Sequence, residues 1–199
     1  EMRRPVDPIK GTLLSKSWLD KFYDRGAGKG LDLEVKNEIY DEAGRLLAVN
    51  TSYHRMKGEG VDGFGGEPPV KKVVEFPDRS PDQVVNSYIS KTQNVLYRLT
   101  GDTNLTHIDP EQAMKATGHG VFMQGLSSLG FATRMMIKAM IPGEPERMKR
   151  IYVQMRSMAF PDTPVQIQAW KIGDGQAVFR YLDQNTGKAI LDNCEFEWE

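Results

Sequence analysis

The sequence predicts an α+β chain in which an antiparallel sheet wraps one long buried helix, and three observations carry that expectation. Val121 to Ile141 is the longest apolar stretch, and the helix read over Val121 to Met140 carries Phe122, Met123, Leu126, Leu129, Phe131, Met135, Met136 and Met140 on nearly every face. Such a helix must be enclosed rather than laid on a surface. Four β-like runs follow it, Ile151 to Met158, Val165 to Ile172, Gln176 to Leu182 and Ala189 to Trp198, with turns at Gly173 to Gly175 and Asp183 to Gly187. The balance of 39% hydrophobic and 27% charged residues over 199 positions is that of a globular protein with a sizeable core.

From Leu13 to Met56 the pattern is β-like throughout: Leu13 to Tyr23, a Gly26-Ala27-Gly28 break, Leu31 to Tyr40, a turn at Asp41 to Gly44, then Arg45 to Tyr53. No helix of useful length is expected there. Gly58 to Pro69 then form a Gly/Pro-rich connector, which divides the chain into a partial first unit at 1–57, a connecting stretch at 58–81 and a second unit at 82–199. The second unit opens with a strand at Val84 to Ser90 and a helix at about Thr92 to Leu99. A polar loop from Thr100 to Asp109 follows, then a short helix starting at Pro110, where proline suits a first turn. Pro142-Gly143 ends the long helix.

An internal echo points to duplication. Tyr40 to Leu47 (YDEAGRLL) matches Leu182 to Leu191 (LDQNTGKAIL), each read as strand, turn, strand. The second copy has a helix upstream, whereas the first has only Glu1 to Gly11 before its strands. The first sheet is therefore expected to lack an apolar cover unless further N-terminal sequence or a second subunit provides one.

Charge and cysteine content narrow the function classes. With 26 Lys and Arg against 27 Asp and Glu, the net charge of -1 lacks the basic excess of a sequence-independent nucleic-acid binder. Gln124, Ser127, Ser128, Arg134 and Lys138 interrupt the apolar stretch, so no bilayer crossing is expected. A single cysteine, Cys194, excludes an internal disulfide framework, favours a reducing compartment or the peroxisomal matrix, and reads as a packed or edge thiol. The sequons at Asn50 and Asn104 are read as coincidence. The sequence starts at Glu1 without a basic-then-apolar leader and ends Glu197-Trp198-Glu199 rather than Ser-Lys-Leu, and neither end need be a natural terminus.

Common chemical motifs mostly fail on context. Gly58 to Gly63 (GEGVDG) matches G-x-G-x-x-G, but the following Phe64 to Pro69 (FGGEPP) cannot open the helix that a dinucleotide site needs. Gly26 to Gly30 (GAGKG) lacks P-loop spacing and reads as a hairpin turn. His54, His107 and His119 form no H-x-x-x-H pair, so no metal is expected, and no G-x-S-x-G elbow or Cys-His pairing supplies a nucleophile. What remains is Gly101 to Pro110 (GDTNLTHIDP), which gathers a carboxylate, an amide and an imidazole within six residues. Two readings stand: a catalytic loop, or a capping loop in which Asp102 or Asp109 accepts helix N–H bonds. Asp109, directly before Pro110, is better explained as a cap.

These residues also carry a resemblance. Tyr97-Arg98-Leu99-Thr100-Gly101-Asp102-x-Asn104-x-x-His107-Ile108-Asp109-Pro110, with Gly125-Leu126-x-x-x-Gly130-Phe131, resembles the hydratase 2 motif of the MaoC-like (R)-specific enoyl-CoA hydratases. The similarity continues upstream through Phe76 to Asp82. Asp24 to Gly28, Tyr40-Asp41 and Gly58 to Gly66 resemble the non-catalytic half of the eukaryotic double hot-dog type. Two departures stand out: Leu105-Thr106, where the family usually has proline and a hydrophobic residue, and Gln124, where it usually has histidine before the helix glycine. They point to an unusual, biosynthetic acyl group.

The resemblance implies a double hot dog with a truncated first half and reversible, R-specific hydration of a 2-enoyl thioester. In it Asp102 and His107 hold a water and manage its protons, Asn104 orients the water or the loop, and the Gly125 N–H faces the thioester oxygen. Phe122, Met123 and Gln124 would line the acyl pocket, with Gln124 helping to choose the substrate. Lys71, Lys72 and Arg79 lie near enough in sequence to meet CoA phosphates. It implies no cofactor beyond the CoA thioester as substrate, an acyl-CoA partner, a homodimer, and a peroxisomal or cytoplasmic place in fatty acid metabolism. A non-catalytic hot-dog subunit and a hot-dog thioesterase are the competing readings.

Overall fold

The computed structural model describes residues 1–7, 9–58, 60, 65 and 70–199. The central part of the Gly/Pro-rich connector, including much of the G-x-G-x-x-G run, lies outside them. The described residues divide into two units, Glu1–Lys72 and Val73–Glu199.

In the first unit, β1 (Leu14–Asp24), β2 (Leu31–Tyr40) and β3 (Leu46–Met56) form an antiparallel sheet in the order β1-β2-β3, and no helix occurs among the described residues there. Register sorts the side chains by face. Leu31 lies opposite Met56, Leu33 opposite Phe22, Val35 opposite Leu19 and Ile39 opposite Ala48 on one face, where a polar patch interrupts them: the Asn37 amide donates to the Ser15 and Ser17 hydroxyls, and His54 bonds Ser52. The other face is charged: Glu34 meets Lys21 at 3.7 Å, Lys36 meets Asp20 at 2.7 Å, and Asp32 pairs with Arg25 and Arg55. A bulge at Asp20 keeps Leu19 and Phe22 on the apolar face although three positions separate them. Leu19 and Met56 are 54% and 51% exposed, so the face that a helix would cover is partly bare.

The second unit is a hot-dog fold. β4 (Gln83–Ile89), β5 (Met148–Met155), β6 (Thr163–Gly173), β7 (Gln176–Asp183) and β8 (Ala189–Trp198) form one antiparallel sheet in the order β4-β6-β7-β8-β5. It curves around α3 (Gly125–Met140), whose contacts run to β4, β6 and β5. Ala132, Met135, Met136 and Met140 of the helix meet Ile167, Phe179, Tyr181 and Phe196 in one buried cluster. Full burial of each large apolar side chain contributes roughly 1.5–3 kcal/mol. The enclosure leaves one open stripe, Leu126, Gly130, Arg134 and Lys138, at four-residue spacing.

Two expectations change. The long helix begins at Gly125 rather than Val121, because residues 121–124 are drawn out to bond elsewhere: the Met123 N–H donates to Ala159 O at 2.8 Å. The segment after Lys72, read as connector as far as residue 81, belongs to the second unit. Val74 and Phe76 pack with Trp170 and Val178, and the Trp170 indole donates to Arg79 O at 2.8 Å. The Asp82 carboxylate accepts the Lys171 N–H at 2.7 Å. The duplicated hairpins do share a construction. Asp41 Oδ1 accepts the N–H groups of Ala43 and Arg45, and Asp183 Oδ1 accepts those of Asn185 and Thr186.

Candidate active site

The loop between α1 (Gln93–Arg98) and α2 (Pro110–Thr117) is a chain of side-chain caps. Gly101, at φ +108°, turns the backbone through a region that other residues rarely adopt and delivers Asp102 to the loop. Asp102 Oδ1 accepts the Asn104 N–H at 3.1 Å. Asn104 Oδ1 then accepts the Thr106 N–H at 3.1 Å and its hydroxyl at 2.9 Å, closing a 3₁₀ turn over Leu105–His107. Asp109 Oδ1 accepts the N–H groups of Glu111 and Gln112 at 2.9 and 3.1 Å and caps α2, with Pro110 in the first turn. The two readings of the loop therefore separate by residue. Asp109 and Asn104 cap; Asp102 uses one oxygen as a cap, and its buried Oδ2 has no hydrogen-bond partner among the described residues.

His107 is oriented from both ends. Its Nδ1 lies 3.0 Å from Phe122 O, and because a carbonyl only accepts, Nδ1 carries the proton. Nε2 has no hydrogen-bond partner among the described residues. The Phe122 ring meets the imidazole edge-on at 4.6 Å between centroids, and His107 O accepts from the buried Asn94 amide at 2.6 Å. Asp102 is held below its ordinary pKa of 3.8. The Asn104 N–H contributes most, followed by the Gln124 side chain, with His107 and Arg98 adding favourable charge.

These groups share an open cleft of about 430 Å³ lined by Tyr97, Thr100, Asp102, His107, Gln124, Gly125 and Leu126. Gly125 opens α3, and its N–H makes no hydrogen bond among the described residues, so one helix-terminal donor with the positive end of the dipole behind it stands at the cleft wall. A Cβ at Gly125 would lie 2.7 Å from Cε of Met155, so glycine leaves room for that thioether.

Of the sequence-selected residues, Asp102, His107, Gln124 and Gly125 come together in the cleft. Asn104 stands beside it, exposed and occupied with Thr106. Phe122 supports the imidazole, while Met123, 3% exposed, is buried in the core. Arg79 commits its guanidinium to Asp82 and to Lys171 O. Tyr97, Thr100 and Leu126 were not selected as site residues, although the quoted motif contains all three. Asn94 carried no signal at all. Among the described residues no group of three His, Cys, Asp or Glu could hold a metal, and no helix is long and apolar enough to cross a membrane.

The chain is 33% identical over 94% of its length to the peroxisomal multifunctional enzyme type 2 of Drosophila melanogaster. It is 32% identical over 87% of its length to the peroxisomal enoyl-CoA hydratase 2 of Arabidopsis thaliana. It spans 31% and 58% of those two proteins. Among solved structures, a MaoC-like dehydratase from Phytophthora capsici aligns with all of this chain and 66% of its own, at a TM-score of 0.87 and 34% identity. The model of the MaoC like domain matches residues 72–193, which takes in β4 to β7, the first half of β8, α3 and every residue of the cleft, and the chain belongs to that family.

Proposed function

We propose that the chain catalyses reversible hydration of a 2-enoyl-CoA to the 3-hydroxyacyl-CoA, with R specificity. The observation that carries this reading is the pairing of an imidazole whose Nδ1 is fixed on Phe122 O with a carboxylate oxygen that has no hydrogen-bond partner among the described residues, on one cleft whose wall also offers the Gly125 N–H.

Hydration needs three things at once: a water oxygen added at Cβ, a proton added at Cα, and a donor for the negative charge that gathers on the thioester oxygen. Asp102 is ionised at neutral pH and His107 offers Nε2, so the two can hold one water, take a proton from it as its oxygen bonds to Cβ, and return a proton to Cα. Each acid or base of this kind contributes a factor of about 10² to 10⁴. The Gly125 N–H, backed by the dipole of α3, serves the enolate oxygen, and loss of such a donor typically costs roughly 3 kcal/mol. Asn104 holds the loop rather than the water. The reaction as proposed uses no cofactor beyond the CoA of the substrate itself.

Relatives named as enoyl-CoA hydratase 2 and 3-hydroxyacyl-thioester dehydratase support this assignment, and the peroxisomal relatives support a peroxisomal location. A homodimer is proposed with it. The deciding experiment incubates the protein with 2-enoyl-CoAs of several chain lengths and follows them by mass spectrometry and chiral analysis. Gain of one water with CoA retained, as the R product, is expected. Release of free CoA would indicate a thioesterase instead, and no change across the panel would indicate a non-catalytic hot-dog chain.

A further inference from the structure

Asn94 lies outside the motif residues, yet it touches both sides of the site. It is 3% exposed on α1. Its Nδ2 donates to His107 O at 2.6 Å, and its own backbone carbonyl accepts from Gln124 Nε2 at 3.3 Å. Gln124 is 4% exposed, stands immediately before α3 and shares the cleft wall with Asp102. Two amides thus join three segments: α1, the 3₁₀ turn that carries His107, and the start of α3. Both leave an acceptor, Asn94 Oδ1 and Gln124 Oε1, buried without a donor among the described residues. An apolar pair of the same volume would fill this space without stranding buried acceptors. The amides are therefore explained by where their donors point rather than by packing.

We propose that Asn94 and Gln124 are positioning residues, a two-amide clasp that fixes the spacing between His107, Asp102 and the Gly125 N–H. This rests on the hydratase reading. The clasp acts through groups that touch substrate: Asn94 steadies the His107 backbone, which keeps the imidazole against Phe122 O, and Gln124, held on Asn94 O, keeps its place beside the Asp102 carboxylate in the cleft wall and helps to hold that carboxyl low. Among the described residues, the groups that lower that carboxyl's pKa are the Asn104 N–H from the loop, Gln124 from the start of α3, His107 from the turn and Arg98 from α1.

The test uses the whole chain carrying Asn94→Leu, Gln124→Met and both together, assayed with a 2-enoyl-CoA that the wild type hydrates. Each single variant is expected to lower kcat about 10-fold to 30-fold with KM changed less than about threefold, and the double variant to lose little more than the worse single one, as residues acting as a unit do. In Gln124→Met the acid limb of the rate profile should move up, because a group that depresses Asp102 is gone. Gln124→His, which restores a ring N–H donor, should recover most of the lost rate. In 15N spectra of the histidine rings, His107 should show the Nδ1-protonated tautomer in the wild type and a mixture in Asn94→Leu. Should Asn94→Leu not fold, Asn94→Ser carries the same test. Unchanged kcat per folded molecule, or lower thermal stability with an unmoved pH profile and tautomer, would overturn the clasp. If the wild type hydrates no enoyl-CoA, the functional reading fails, and the tautomer measurement alone decides the clasp.

Discussion

Asp102 and His107 differ in how much of each side chain the fold consumes, and that difference bears on how they can be tested. Asp102 spends Oδ1 on the Asn104 N–H, and asparagine at that position can accept the same bond through its amide oxygen. Asp102→Asn should therefore keep the loop closed and remove only the charge. It should lower turnover at least about a hundredfold, as should His107→Ala, with circular dichroism unchanged in both. Wild-type rates at saturating substrate in either variant would remove the catalytic assignment. The sign of the pH dependence follows from the depressed carboxyl. Because its folded pKa lies below 3.8, the interactions of Asp102 favour the fold fully above that value and are lost as pH falls through the folded value. Cys194 is a different case. It is fully buried in β8, and desolvation pushes its thiol up to about 12, so almost no thiolate forms at neutral pH. It should resist a thiol reagent in the native protein and react within seconds to minutes of unfolding in denaturant. The expectation of a packed thiol was legible because Cys194 shares a period-two strand face with Phe196, while Glu195 and Glu197 take the other face. Asn94 was not legible, because its side chain donates to a backbone carbonyl 13 residues away, which leaves no trace in residue type, and the Gln124 side chain that reaches its own backbone carbonyl comes from 30 residues away.

At the scale of elements, local chemistry was readable and long-range capture was not. The Asp109-Pro110 pair announced the start of α2 because an aspartate cap and a first-turn proline act within three residues. Asp109→Ala should lower stability by about 1 kcal/mol, read as a shift in the thermal or denaturant midpoint, without touching Asp102 or the cleft. A loss of activity larger than the loss of folded protein would mean that Asp109 serves the site as well. The start of α3 ran the other way. The helical apolar pattern continues back to Val121, and only the bonds of Met123 to Ala159 and of His107 to Phe122 pull residues 121–124 out of the helix. Those bonds place the Gly125 N–H first in the helix, with no hydrogen bond among the described residues. The strap at 73–82 was hidden for a similar reason, since its anchors on Trp170 and Lys171 lie about 90 residues downstream. Thr106 shows a departure compensated locally: its hydroxyl bonds Asn104 in a turn that lacks the proline usual in the family.

At the scale of the whole molecule, the two units bury their apolar faces unequally. In the second unit the sheet closes on α3; in the first, Leu19, Leu33, Val35 and Met56 share a face with no helix over it among the described residues, while the opposite face carries ion pairs. A three-stranded sheet with one bare apolar face is marginal alone, and exposed apolar surface of this kind favours association. The chain as given should therefore scatter light as a species heavier than its 22.5 kDa, and the double variant Leu19→Lys, Met56→Lys should reduce that mass. Both side chains are half exposed, so lysine there keeps its ammonium in water and costs little folding stability. The cleft is built wholly from residues of the second unit, so any hydration it catalyses should keep its rate in the variant. If the mass stays high and unchanged, the copies are joined elsewhere, through the edges of the sheets, and the bare face is not what brings them together. A wild-type monomer with one cooperative thermal transition would show that the shortened sheet stands without a cover.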